Sequence, residues 1–142
     1  MTAVVVDASV AVKWVVQEDH SACAVRLLAY QARHAPAHWQ AEAVNALWSK
    51  VFKRELPAED AAERASVLLR APVIGASISE LMPLAFSISV AQSVTVYDSL
   101  YLALAEKLDI PLVTADRRLI ARMAGSSSAG RLIWVGDVQP AS

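Results

Sequence analysis

"SVTVYDSLYLALAEKLDIPLVTADRRL", residues 93–119, reads as short strand, helix, strand, helix. Pro111 stands just before the apolar triplet "LVT", where its missing N–H costs a strand least. Links this short between helix and strand favour parallel strands, because each parallel pair needs a crossover and a helix supplies it. A chain that repeats this unit is α/β, with a mainly parallel sheet covered by helices on both faces.

The rest of the sequence repeats it. Towards the C-terminus, "GSSSAG" (125–130) reads as a loop and "RLIWV" (131–135) as a last strand. Towards the N-terminus, a helix capped by Ser77 or Ser79 runs to about Ala91, and Pro57 opens another in "PAEDAAERASVLLR", with acids first and Arg70 last. The segment from Trp39 to Lys53 places Ala43, Leu47, Trp48, Val51 and Phe52 at helical spacing. "HAPA" (34–37) is extended and follows a helix from about Ser21 to Arg33, with Val25, Leu27 and Leu28 as its stripe. A helix starting near Ser9 carries Val12, Trp14, Val15 and Val16, and Val4–Val6 is the first strand. About five short strands result, in one domain spanning 1–142.

Bulk properties narrow the function. The 142 residues are 56% hydrophobic and only 19% charged, with mean hydropathy +0.38, so surface hidden against a partner is expected. A membrane span does not account for this. The longest charge-free stretch, Leu81 to Tyr97, contains Pro83, Gln92 and Thr95 and falls short of the roughly 20 apolar residues a span needs, so it reads as buried helix. The N-terminus lacks a basic segment before its short apolar run, which makes the cytoplasm the expected location. Cys23 is alone, which excludes an intramolecular disulfide or thiolate cluster and leaves the role of a small buried hydrophobe.

Ligands of an open parallel sheet bind beyond the carboxyl ends of its strands. Asp7 ends the first strand, Asp98 lies at a helix start, and Asp116 comes two residues after "LVT". Glu42, in the first turn after the extended "HAPA", faces the same edge. Asn45 lies one turn further on, and Ser9 and Thr114 supply neutral hydroxyls. Four carboxylates brought together raise each other's pKa unless a cation compensates them. All-oxygen ligation without a convincing histidine or thiolate suits Mg²⁺ or Mn²⁺.

Setting those four aside leaves 10 of the 14 acidic residues against 13 Lys and Arg, a balance of +3. Lys13, Lys50, Lys53, Arg54, Arg117, Arg118 and Arg122 fall near the inferred edge, where they could hold phosphates. Singly, each acid reads as a helix cap or first-turn acid. Only the set, at comparable places in four units, points to a metal. His20, His34 and His38 share no ligand spacing, and Trp14, Trp39, Trp48 and Phe52 fit core or dimer contacts better than base stacking.

Three pieces resemble the PIN-domain nucleases, and within them the VapC-type toxins: "VVVDASVAVKW", "PAHWQAEAVNAL" and "TVYDSLYLALAEKLDIPLVTADRRL", in the family's order. The resemblance implies a three-layer α/β/α fold and makes Asp7, Glu42, Asp98 and Asp116 the acidic cluster for Mg²⁺ or Mn²⁺. Ser9, Thr114 and Asn45 fall on its small polar positions. It further implies endoribonuclease cleavage by a metal-activated water, a homodimer, and a cognate antitoxin. Two rivals remain. A haloacid-dehalogenase-like phosphatase needs a second Asp two residues after the first, where this chain has Ser9, and a non-catalytic binding module of the same fold is excluded only by activity.

Overall fold

A computed structural model describes residues 2–141. Its five strands are β1 (Ala3–Val6), β2 (Ala32–Pro36), β3 (Ile74–Ala76), β4 (Leu112–Thr114) and β5 (Leu132–Trp134). They form one all-parallel sheet in the order β3-β2-β1-β4-β5. The helices that link and cover it are α1 (Ala8–Ala11), α2 (Ser21–Arg26), α3 (Trp39–Phe52), α4 (Ala58–Leu68), α5 (Ile78–Gln92), α6 (Val96–Leu108) and α7 (Arg117–Met123).

The central strands explain the apolar runs. Val4, Val5 and Val6 of β1 are at most 2% exposed, because a parallel strand in mid-sheet is covered on both faces. Helix α6 is the other half of the core: every residue from Ser99 to Ala105 is buried. β1 and β4 are neighbours although the chain visits β2 and β3 between them, so the winding reverses there. At such a point the two flanking connections leave in opposite directions and open a crevice beyond the strand ends. The β1–β4 pairing carries on to the crevice itself, where the Asp7 amide donates to the Val113 carbonyl at 3.1 Å.

Several local expectations need correction. "SVTV" is no strand. Thr95 is the N-cap of α6, its Oγ1 accepting from the Asp98 amide at 3.2 Å, and that bond outweighs the β-preference of a branched residue. The fifth strand is instead the short edge strand β3, whose Ile74 and Gly75 are exposed and give no alternating pattern. Helix α1 tightens into a 3-10 turn at Val12–Trp14. Helix α2 likewise gives way to a 3-10 turn at Leu27–Ala29, so that Arg33 joins β2, where its buried guanidinium donates to the carbonyls of Pro72, Leu27 and Tyr30.

The charge-free stretch is not a buried helix. Only Leu81 and Ala85 of α5 are buried, while Met82, Phe86 and Val90 form an exposed stripe at four-residue spacing. On α3, Trp48 and Phe52 are exposed with stacked rings 5.4 Å apart, and Cys23 is only half-buried. Among the described residues no helix is long and apolar enough to cross a membrane.

Candidate active site

Asp7 leaves the end of β1 and occupies the N-cap position of α1, yet its side chain makes no capping bond. Its carboxylate turns into the crevice instead. Oδ2 accepts from Ser9 Oγ and from Thr114 Oγ1, each at 2.8 Å. Both hydroxyls are themselves fixed by backbone amides: Ser9 Oγ accepts from Ala115 N at 3.1 Å and Thr114 Oγ1 from Asp116 N at 3.0 Å. Each hydroxyl proton is thereby committed to Oδ2, which cannot carry a proton of its own, and Oδ1 stays outside these two bonds. Burial raises the Asp7 pKa above the usual carboxylate value, against these two hydrogen bonds and with the help of the nearby Glu42 charge.

The other acids converge on this point from separate elements. Asp98 sits half-buried in the first turn of α6, with its pKa pushed up to about 6 by burial and then by the charges of Asp7, Asp116 and Glu42. Glu42, in the first turn of α3, lies below the usual value. Burial would raise it, but the adjacent His38 imidazole and the Tyr101 hydroxyl, which donates to Oε1 at 2.7 Å, favour the charged form. Asp116 does cap a helix, as a single acid would: Oδ1 accepts from the amides of Arg118 at 2.9 Å and Leu119 at 3.3 Å. Of the four acids it alone uses its side chain as a cap.

The neutral and basic positions divide. Asn45 lies exposed on α3, a turn beyond Glu42. Arg118 lines the two hollows that flank Asp116, one of about 390 Å³ shared with Arg117 and Trp134, the other of about 250 Å³ shared with Asp98, Thr95 and Arg122. Lys13 and Lys50 both pair with Glu18. The Lys13 ammonium is buried and donates to Glu18 Oε2 and the Asp19 carbonyl, each at 2.8 Å, and Lys50 reaches Glu18 Oε1 at 2.8 Å. Both charges are thus shared with Glu18. A hollow of about 380 Å³ between Trp14, Glu63 and Arg64 lies apart from the four acids.

Two residues at the site escape a sequence reading. Tyr101 lies three residues after Asp98 on α6, on the same helix face, and burial keeps its phenol neutral. That spacing could have flagged it. His38 has its Nε2 3.2 Å from Glu42 Oε1, but among the described residues neither of its buried ring nitrogens has a hydrogen-bond partner of good geometry.

Chemically the donor set is hard and negative. Asp7 Oδ1, the Asp98 carboxylate and Asp116 are oxygen donors that repel one another, the condition a divalent cation relieves. Among the described residues no group of three or more His, Cys, Asp or Glu is placed to hold a metal ion directly. Magnesium does not require one, since it keeps several waters and takes one or two carboxylates. The residues therefore fit a hydrated Mg²⁺ or Mn²⁺ and do not fit a metal needing nitrogen or sulfur.

The chain is similar to known proteins in sequence and in fold. The family model described as "PIN domain" matches residues 4–126. Ribonuclease VapC12 of Mycobacterium tuberculosis is 31% identical over 116 residues, covering 82% of this chain and 88% of that protein. The crystal structure of PAE2754 from Pyrobaculum aerophilum superimposes with a TM-score of 0.67 at 23% identity, over 94% of this chain and 84% of the other. A chain of a toxin–antitoxin complex from Klebsiella pneumoniae superimposes with a TM-score of 0.64 at 11% identity, over 92% and 95%.

Proposed function

The chain belongs to the PIN-domain family, and from that premise we propose that it is an endoribonuclease, the toxin of a toxin–antitoxin pair, which cuts RNA phosphodiesters with Mg²⁺ or Mn²⁺. The observation that carries this reading is the convergence of four acids from four elements on one crevice, where burial and the charges of Asp7, Asp116 and Glu42 raise the pKa of Asp98. A divalent cation, when bound, supplies the positive charge that makes an attacking water acidic near neutral pH and offsets charge developing on the phosphate.

The chain's own residues hold and orient. Asp7, Asp98 and Asp116 are the proposed ligands, with Glu42 at the edge of the set. Ser9 and Thr114 fix the Asp7 carboxylate, so that Oδ1 faces the crevice without searching rotamers. Tyr101 holds Glu42 ionised, ready to ligate or to accept a proton from water. Arg118, unpaired by any carboxylate among the described residues, is placed to steady an incoming phosphate.

The partner surfaces follow from what the fold leaves uncovered. The stripe Met82, Phe86 and Val90 and the stacked pair Trp48 and Phe52 are apolar surface that a second copy or an antitoxin would cover, and they support a homodimer. An antitoxin partner is supported by the structural likeness to the Klebsiella complex.

The deciding experiment incubates the purified protein with labelled RNA and with a generic phosphomonoester, each with Mg²⁺, Mn²⁺ or EDTA. Cleavage of RNA alone, abolished by EDTA and by Asp7→Asn or Asp98→Asn in folded protein, is the expected result. Hydrolysis of only the monoester would sink the nuclease reading. Inertness towards both, with tight capture of a co-encoded small protein, would make the chain a binding module.

A further inference from the structure

Asp116 has a second side. The hollow of about 390 Å³ beside it is walled by Arg117, Trp134 and His20, and neither Asp7 nor Asp98 lines it. The Arg117 guanidinium carbon lies 3.6 Å from the centroid of the Trp134 ring, so the cation is laid over the indole face. Among the described residues Arg117 has no carboxylate partner. It is a planar charge positioned by an aromatic ring rather than by an ion pair.

The ring beneath it is itself held. The His20 imidazole meets Trp134 edge-on, with centroids 4.6 Å apart and planes at 70°. Gly136 passes so close that a Cβ there would stand 2.2 Å from Trp134 Cζ3, so only glycine lets the indole lie where it does. His20 adopts a left-handed backbone (φ 66°), uncommon for a residue with a Cβ, and that conformation belongs to the loop that brings its ring to the wall.

The geometry points to a nucleobase subsite: the base next to the scissile phosphate leaves its stack and rests on the Arg117 guanidinium, which Trp134 backs. Guanidinium planes and aromatic rings are the surfaces on which unpaired RNA bases stack. The pocket adjoins Asp116, so a nucleotide whose phosphate sits among the acids has its base within reach. Its walls carry both signs, from Asp19 and Asp116 against Arg117, Arg118 and a Lys13 already paired with Glu18, which suits an uncharged flat base better than an acidic peptide. This inference rests on the nuclease reading of the four acids.

The test uses the full chain in EDTA and a labelled single-stranded oligoribonucleotide that the wild type cuts with Mn²⁺. The oligonucleotide is made intact or with one abasic nucleotide at successive positions around the mapped cleavage site, and binding is read by fluorescence anisotropy. One abasic position next to the cleaved bond should weaken wild-type binding about tenfold, and Arg117→Lys, which keeps the charge but loses the plane, should reduce that penalty to about twofold or less. Gly136→Ala, which dislodges Trp134, should do the same. The inference is overturned if no abasic position matters to the wild type, or if Arg117→Lys keeps the full penalty, as a phosphate clamp would. It is equally overturned if Arg117→Lys binds every RNA like wild type but loses its grip on the co-encoded antitoxin. A wild type that cuts no RNA would instead sink the nuclease reading, and this subsite with it.

Discussion

Thr114 Oγ1 donates a buried 2.8 Å hydrogen bond to Asp7 Oδ2, joining residues 107 positions apart at the ends of neighbouring strands. The same oxygen accepts from the Asp116 amide at 3.0 Å, so one hydroxyl aligns two of the acids. Thr114→Val keeps the shape and removes both bonds. We expect cleavage and metal affinity to fall about 10- to 100-fold, the usual cost of losing a group that orients a metal ligand, and Thr114→Ser to restore most of both. Metal titration followed by calorimetry, beside RNA cleavage rates, checks this. A Val variant with wild-type metal affinity would make the hydroxyl merely structural.

Asp98 makes the metal-free protein pay for its own site as pH rises. Burial and its acidic neighbours hold its pKa at about 6 in the fold, against 3.8 for an ordinary Asp. Between those values the unfolded chain has released the proton and the folded one has not, so stability declines across that window and the loss is complete above it. Asp98→Asn should therefore melt higher than wild type in EDTA at about pH 7.5, with the difference gone at about pH 4. Added Mg²⁺ should raise the wild-type Tm at the higher pH and do little for the variant. Equal melting of the two proteins at about pH 7.5 in EDTA would refute the crowding of the four acids.

The sheet and the four acids were legible because each leaves a local mark. Val4–Val6 and "LVT" are unbroken apolar runs ended by a polar residue, and that pattern needs no tertiary information. Their convergence required only that parallel strands expose their carboxyl ends on one edge. What was not legible depends on neighbours. Thr95 looks like a strand residue because its cap bond to Asp98 is invisible in a propensity, and β3 is an exposed edge of three residues with no pattern to find. Nothing in "VKW" says that the Lys13 ammonium turns inward to Glu18 rather than out towards a phosphate. Trp134 passes for an ordinary strand residue, and only the fold lays Arg117, from the start of α7, across its ring.

Tyr101 reaches Glu42 Oε1 at 2.7 Å from a buried position, and Phe fills the same space without the hydroxyl. A hydrogen bond to a charged carboxylate contributes about 1.5–3 kcal/mol. Glu42 is held below its ordinary 4.5, so its stabilisation is present above that value and is lost as pH falls through the lower folded one. Tyr101→Phe should lower unfolding free energy by about 1–2 kcal/mol near pH 7 and by much less once Glu42 is protonated. Urea titrations at the two pH values decide it. An equal loss at both would assign the effect to packing.

Glu18 stands between two cations, with Lys13 at 2.8 Å on one oxygen and Lys50 at 2.8 Å on the other. Burial would raise its pKa, but the two ammonium groups outweigh it and hold the carboxylate ionised. Its contribution is therefore present above the ordinary carboxylate range and lost as pH falls through the depressed value. Glu18→Gln leaves Lys13 charged and buried without a counter-ion, and breaking a buried pair from one side costs about 3–5 kcal/mol. We place the loss towards the lower end, because Glu18 is a quarter exposed. Lys13→Met removes the stranded charge instead and should cost less. It also separates a structural lysine from one that grips RNA. Removing a lysine that holds a phosphate reduces the salt dependence of RNA binding by about one counter-ion, whereas removing one committed to Glu18 leaves that slope unchanged. An altered slope in Lys13→Met would place Lys13 on the RNA-binding surface.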